Sequence, residues 1–172
     1  MQWKQVTAAA LLSVAANQAM AAELKVQIEV PSIDIAEYHR PYVAVWIENA
    51  KGRHQQDLAV WYDLEMRDNE GTKWLKDLRL WWRRSGRQLE MPVDGISSAT
   101  RPVGAHEMVF AADDPKLADL PAGEYRLVVE AARELGGREL LRLPFQWPAE
   151  AAQKQKQQGE HELGRVALEL TP

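Results

Sequence analysis

Leu24-Lys-Val-Gln-Ile-Glu-Val30 alternates apolar and polar positions without a break, the period of a strand with one face buried and one in water. Tyr42-Val-Ala-Val-Trp-Ile-Glu48 and Leu58-Ala-Val-Trp-Tyr-Asp-Leu64 are richer in β-branched and aromatic residues, which predicts more deeply buried strands. Residues 106–111, 124–131, 139–147 and 162–170 carry further strand patterns. Turn signals separate several of them: Asn49-Ala-Lys-Gly52, Asp68-Asn-Glu-Gly71, Pro121-Ala-Gly123 and Gly136-Gly137. Seven short strands with this punctuation predict an all-β fold, an antiparallel β-sandwich of immunoglobulin-like size.

One segment breaks the strand period. In residues 72–86 the bulky apolar positions are Trp74, Leu75, Leu78, Trp81 and Trp82, spacings of three and four that collect on one helical face. Gly86 supplies a helix stop. The pattern predicts one short helix of about three turns between the third and fourth strands, crossing one end of the sandwich or covering a sheet edge. Residues 149–159, dominated by Gln and Lys, have no apolar period and read as an exposed connection before the last strand.

The N-terminus changes the domain count. Lys4, the apolar run from Val6 to Ala16, and the small residues Ala19 and Ala21 have the layout of a secretory signal peptide cleaved near Ala21. That run is too short for a permanent membrane helix, which needs roughly 20 residues. The expected organisation is a signal peptide over 1–21 and a single β-sandwich domain over 22–172. Removing the leader takes away one cation and leaves 151 residues with net charge −5. A domain of this size buries about 68–70% of its unfolded surface, enough for an independent core. The expected product is exported, periplasmic and not membrane-spanning.

Composition then narrows the chemistry. The chain has 172 residues and no Cys, which removes disulfides, thiolate zinc sites, iron–sulfur clusters and cysteine nucleophiles together. His39, His54, His106 and His161 lack the i, i+4 pairing of a helical zinc hydrolase, and His106 with Met108 offers too few ligands for copper. No metal site is expected. There is no Gly-rich phosphate loop and no nucleophile elbow, and Asp113-Asp114 before Pro115 reads as a turn pair. No catalytic residues stand out, so a carrier or binding module is expected rather than an enzyme.

The remaining candidate lies in Met91-Pro-Val-Asp-Gly-Ile-Ser-Ser-Ala-Thr-Arg-Pro-Val-Gly104, too rich in Pro, Gly and polar residues for a strand. Arg101, preceding Pro102, is biased to extended backbone, which would hold Thr100 out on an exposed stretch. Asp94-Gly-Ile-Ser-Ser-Ala-Thr100 resembles the acceptor motif of covalent flavin-binding domains in exported and membrane-linked redox proteins. In those families a periplasmic flavin transferase splits FAD and joins FMN to the final Thr through a phosphoester. The resemblance makes Thr100 the cofactor attachment point, Asp94 the leading acid followed by Gly95, Ser97 the hydroxyl position and Ala99 the small residue before the acceptor. Ser98 stands where Gly is usual. A turn at Asp94-Gly95 with Ser-Ser-Ala-Thr merely following it is the alternative reading.

The chain also resembles, along nearly all of its mature length, the predicted periplasmic proteins called domain of unknown function 2271. The likeness is carried by Tyr-His-Arg-Pro-Tyr-Val-Ala-Val-Trp-Ile-Glu at 38–48, Leu-Ala-Val-Trp-Tyr-Asp at 58–63, Lys-Trp-Leu-Lys-Asp-Leu-Arg from Lys73, Trp-Trp-Arg-Arg-Ser-Gly from Trp81, and the Asp94 loop. It implies export, a β-sandwich, and gene neighbourhoods with flavin transferases and membrane redox proteins. The two resemblances together lead to an expected function: a periplasmic electron-transfer protein carrying covalent FMN on Thr100. Its partners would be the periplasmic flavin transferase and a membrane redox protein, with no nucleic acid. The alternative is a cofactor-free periplasmic binding module.

Charge suits either. Residues 73–87 carry Lys73, Lys76, Arg79, Arg83, Arg84 and Arg87 against Asp77, a net +5 inside an acidic protein. Arg83, Arg84 or Arg101 could neutralise an FMN phosphate, and Trp81 or Trp82 could stack on its ring. Trp81 and Trp82 are adjacent on a helix and point apart, so one of them is the better candidate for a surface role. The basic segment also suits an anionic membrane surface or an acidic partner.

Overall fold

The alternating segments form two sheets packed face to face. The computed structural model describes residues 22–172, and the expected leader, 1–21, lies outside the described residues. Among the described residues nine strands form: β1 (Glu23–Val30), β2 (Tyr42–Asn49), β3 (His54–Tyr62), β4 (Ser97–Ala99), β5 (Gly104–Ala111), β6 (Gly123–Ala132), β7 (Arg138–Trp147), β8 (Gln153–Gln158) and β9 (Arg165–Thr171). One sheet has the order β5-β1-β9-β8, the other β4-β3-β2-β6-β7. All pairings are antiparallel except β3 with β4. The fold is an all-β sandwich.

Between the sheets, Leu24, Val26, Ile28 and Val30 of β1 meet Val43, Val45 and Ile47 of β2 and Leu127, Val129 and Ala131 of β6 in one apolar core. β1 keeps strict alternation because only one of its faces is buried. β2, β3 and β6 run continuously buried through much of their length, since their second face is covered as well.

The cover is the segment expected to be a three-turn helix, and both its type and its place differ from that expectation. Residues Arg67–Asp77 make 3-10 turns, interrupted by Asp68 and Asn69 at φ 55. A six-residue helix, α1 (Arg79–Arg84), and one more 3-10 turn, Gly86–Gln88, follow. The segment lies over the outer face of the five-stranded sheet, with Leu75, Leu78, Leu80 and Trp81 packed on Ala44, Trp46, Val60, Tyr62 and Val128. A spacing of three and four fits either helix type, and the tighter 3-10 turn brings every third residue onto one face. Leu75 and Leu78 therefore point inward, Trp74 and Asp77 to one side, Lys76 and Arg79 to the other. Gly86 sits where a Cβ would lie 2.5 Å from the Trp81 ring, so close approach to that indole requires it.

Two strands lie where loops were expected. β4 is a short extended stretch held on the edge of β3. β8 falls inside 149–159 and pairs with β9. Its polar pattern follows from what its side chains do. Gln153 accepts from the Gln146 N–H at 2.8 Å and donates to the Gln146 carbonyl at 2.9 Å, while Gln157 accepts from the Arg142 N–H at 3.4 Å. β8 thus seals the open edge of β7 with amides instead of burying an apolar face. Asp113-Asp114 is more than a turn pair: Asp114 caps the helix α2 (Pro115–Ala118), accepting from the Lys116 N–H, and Leu117 enters the core.

Candidate functional site

The position of Thr100 is set by β4. Asp94 and Gly95 form a tight turn, with Gly95 at φ 79. The Val93 carbonyl accepts from Ile96 and Ser97, and the Ser97 hydroxyl accepts from the Val93 N–H at 2.8 Å. The chain then runs extended along β3, and the Thr100 N–H donates to the Tyr62 carbonyl at 3.1 Å. The turn reading of Asp94-Gly95 and the extended reading before Thr100 hold together. Thr100 is half-buried, and so less exposed than an outlying loop would make it.

Thr100 lines a cavity of about 330 Å³ at one end of the outer layer. Trp74 and Asp77 of the cover, Tyr42 of β2, Arg133 beyond β6, and Tyr38 and His39 share its wall. Trp74, counted with the core face from sequence, is 43% exposed and faces this cavity. The Tyr42 hydroxyl donates to the Gly71 carbonyl at 3.1 Å, and burial, with the nearby Asp63 and Glu134 carboxylates assisting, pushes its pKa up to about 12. Burial likewise raises the Tyr38 hydroxyl. Both phenols stay protonated near neutrality.

Arg133 anchors the far wall. Its guanidinium grips Glu162 with two bonds of 2.8 and 3.1 Å, and Glu162 also accepts from the Gly137 N–H. The Arg133 side chain is 7% exposed, yet its Nη1 is a buried nitrogen without a partner, as is the Tyr38 hydroxyl oxygen. The guanidinium lies 6.0 Å from the Tyr38 ring centre. Both unpartnered atoms are closed to solvent, so each carries the cost of an unmet buried polar group.

The other residues expected around an FMN lie elsewhere. Trp81 is fully buried in the cover, and its indole N–H donates to Asp57 at 2.8 Å, so it is a core residue closed to any ring. Trp82, the outward member of the pair, lines a shallow basin of about 420 Å³ with Lys76, Arg79, Arg83 and Arg138. Thr100 lines the cavity and not this basin. Arg84 is exposed on the same layer. Arg101 is exposed and sits 5.5 Å above the Trp61 ring. Asp94 and Gly95 border a third depression with Lys116, so the two ends of the motif face different hollows. Ser98 and Ala99 pair with Trp61 and Tyr62 of β3.

A Ser, a His and an Asp do come together under the cover. Asp57 accepts from the Ser85 hydroxyl, from the Trp81 indole and, at 2.9 Å, pairs with His54 Nε2. Burial acts to raise the Asp57 pKa, but the bonds from His54, Ser85 and Trp81 prevail and hold it below the usual carboxylate value. The carboxylate stands between the hydroxyl and the imidazole, whereas nucleophile activation needs the imidazole on the hydroxyl. The three residues tie the cover to β3. Among the described residues, no three His, Cys, Asp or Glu side chains group as a metal site, and no helix is long and apolar enough to cross a membrane.

Trp74, Tyr38, Tyr42, His39 and Arg133 were missed as site residues. Only Trp74 gave a local signal, because position 74 falls off the threefold stripe of Leu75 and Leu78. A family model described as a predicted periplasmic protein, DUF2271, matches residues 23–165. No curated protein and no solved structure matches.

Proposed function

The chain belongs to this family of predicted periplasmic proteins, and from that premise we propose that it is a periplasmic electron-transfer protein carrying FMN covalently on Thr100. One observation carries the reading: the acceptor-like threonine lines a cavity whose wall also carries a part-exposed indole, Trp74. The residues present fit the group. Trp74 offers a face for a planar ring. Arg40, exposed among the residues lining the cavity, offers a cation for a phosphodiester beside the Asp63, Asp77 and Glu134 carboxylates of the same lining. Bound FMN would supply the redox couple, which this chain's side chains lack.

Attachment balances without a further reactant beyond FAD and the transferase. Thr100 Oγ forms a bond to the phosphorus of the FMN half of FAD, the pyrophosphate P–O bond breaks, and AMP leaves. The hydroxyl proton passes to a base of the transferase. A tethered group is held near its cavity at an effective concentration on the order of millimolar.

The test is coexpression with a periplasmic flavin transferase, followed by intact mass and in-gel fluorescence. The expected result is one added FMN on the wild type and none on Thr100→Val. An unlabelled wild type, or a labelled Thr100→Val, overturns the reading. The second reading, a cofactor-free binding module, draws on the basic layer beside α1. It expects one partner to be recovered equally by wild type and Thr100→Val.

A further inference from the structure

The basin beside α1 stands apart from the cavity and from any role of Thr100. The residues lining it are Lys76, Arg79, Arg83 and Arg138 around the half-buried Trp82, four cations and an indole with no carboxylate among them. Arg84 and Arg87 lie exposed on the same layer. Arg138 is held from below by Glu130 at 2.5 Å. Among the described residues, Lys76, Arg79, Arg83, Arg84 and Arg87 have no carboxylate within ion-pair distance; other cations such as Lys51, Arg126 and Lys156 are unpaired too, but Lys76, Arg79 and Arg83 share one lining. The threefold turn of the cover gathers them: Lys76 and Arg79 share the face opposite Trp74 and Asp77, so the one acid of residues 73–87 points away, into the Thr100 cavity. Uncompensated cations concentrated on one face of a chain with net charge −4 make a strongly polarised surface.

We propose that this basin docks the protein on an anionic phospholipid surface, with Lys76, Arg79 and Arg83 receiving lipid phosphates and Trp82 seated at headgroup depth. Lysines and arginines around a half-buried tryptophan are the chemistry of an interfacial element: the cations meet phosphates, and the indole suits a level that is apolar on one side and wet on the other. The acidic remainder of the molecule does not cancel the attraction, because at about 0.15 M salt a charge is felt only within about 8 Å. Each cation at an anionic surface strengthens binding about fivefold, so losing two costs about 25-fold.

The experiment is vesicle co-sedimentation with unflavinylated protein, which makes it independent of the flavin reading. Phosphatidylcholine vesicles are compared with vesicles that also contain phosphatidylglycerol, at low and high salt. The wild type is expected to sediment with the anionic vesicles alone, and high salt to release it. The double variant R79Q/R83Q, altered only at exposed side chains, is expected to bind about 25-fold more weakly with an unchanged urea midpoint. K154Q/K156Q removes the same charge from β8 and is expected to bind like wild type. Failure of the wild type to bind anionic vesicles at low salt overturns the proposal, as does an equal loss in the two double variants. Retention on a polyglutamate resin without vesicle binding also overturns it and assigns the basin to an acidic protein.

Discussion

The five-stranded sheet is buried on both faces. Toward the four-stranded sheet it presents Val43, Val45, Ile47, Leu127 and Val129, all fully buried, and the core there is apolar. Toward the cover it presents Ala44, Trp46, Val60 and Val128 together with Glu48, Asp57 and Glu130, carboxylates that are at most 7% exposed. Glu130 accepts from the Leu80 and Trp81 N–H groups at 3.0 and 2.8 Å, donors at the start of α1 that no side chain of the cover itself caps. Sheet meets sheet with its backbone already paired in ladders, so nonpolar contact suffices. A short irregular cover leaves backbone donors unmet, and the sheet beneath must supply acceptors.

Leu127 and Glu130 lie on the same strand and face opposite ways, so they test the contrast most sharply. Leu127→Ala is expected to cost about 2–5 kcal/mol by cavity formation. Glu130→Ala is expected to cost about 1–3 kcal/mol for each α1 N–H donor that it leaves unmet. Urea unfolding measures both. Limited proteolysis separates them, because only Glu130→Ala should expose cleavage sites within residues 67–88. Cleavage there in Leu127→Ala as well would mean that the two faces are not held independently.

Asp57→Asn is expected to be milder, about 1–3 kcal/mol at neutral pH, because it weakens bonds from His54, Trp81 and Ser85 without emptying space. Its pH dependence has a definite sign. The folded pKa lies below the ordinary 3.8, so the stabilisation is complete above that value and is lost as pH falls through the folded pKa. Glu139, whose own pKa is lowered by N–H bonds from residues 160–163 in spite of burial, acts in the same window. Only the difference between wild type and Asp57→Asn isolates Asp57. Urea midpoints from pH 7 to acid should converge as the carboxylate protonates, and a constant gap would refute the assignment.

Removing both Gln153 and Gln157 side chains should cost about 0.5–1.5 kcal/mol each and open the β7 edge. Light scattering at raised concentration would show the resulting association. Thr100→Val, whose side chain carries no bond to the rest of the chain, should shift unfolding by no more than about 0.5 kcal/mol. A larger shift would make Thr100 part of the scaffold and blur its separation from the cover.

Alternation located β1, β-branched and aromatic content located β2, and the strand patterns at 106–111, 124–131 and 139–147 located β5, β6 and β7, each to within a few residues, because each buries at least one face in an apolar core. β8 escaped because its glutamines bond to the backbone of a strand in the other sheet, a role with no apolar period. The cover was visible as an interruption. Its helix type was not, since a spacing of three and four suits both turns, and its place over a sheet face depended on strands distant in sequence. Thr100 could be named from a local motif, whereas Tyr38, Trp74 and Arg133 reach its cavity from three separate segments.

By itself, then, the sequence determined the all-β layering and the absence of cysteine chemistry, because hydrophobic period and residue type are local properties. Only the tertiary structure decided that Trp81 is core while Trp74 faces the Thr100 cavity. It also separated the cations into a basin of their own. Those outcomes depend on which strand lies beneath the cover and which carboxylates it offers, and such pairings arise between residues up to 50 positions apart.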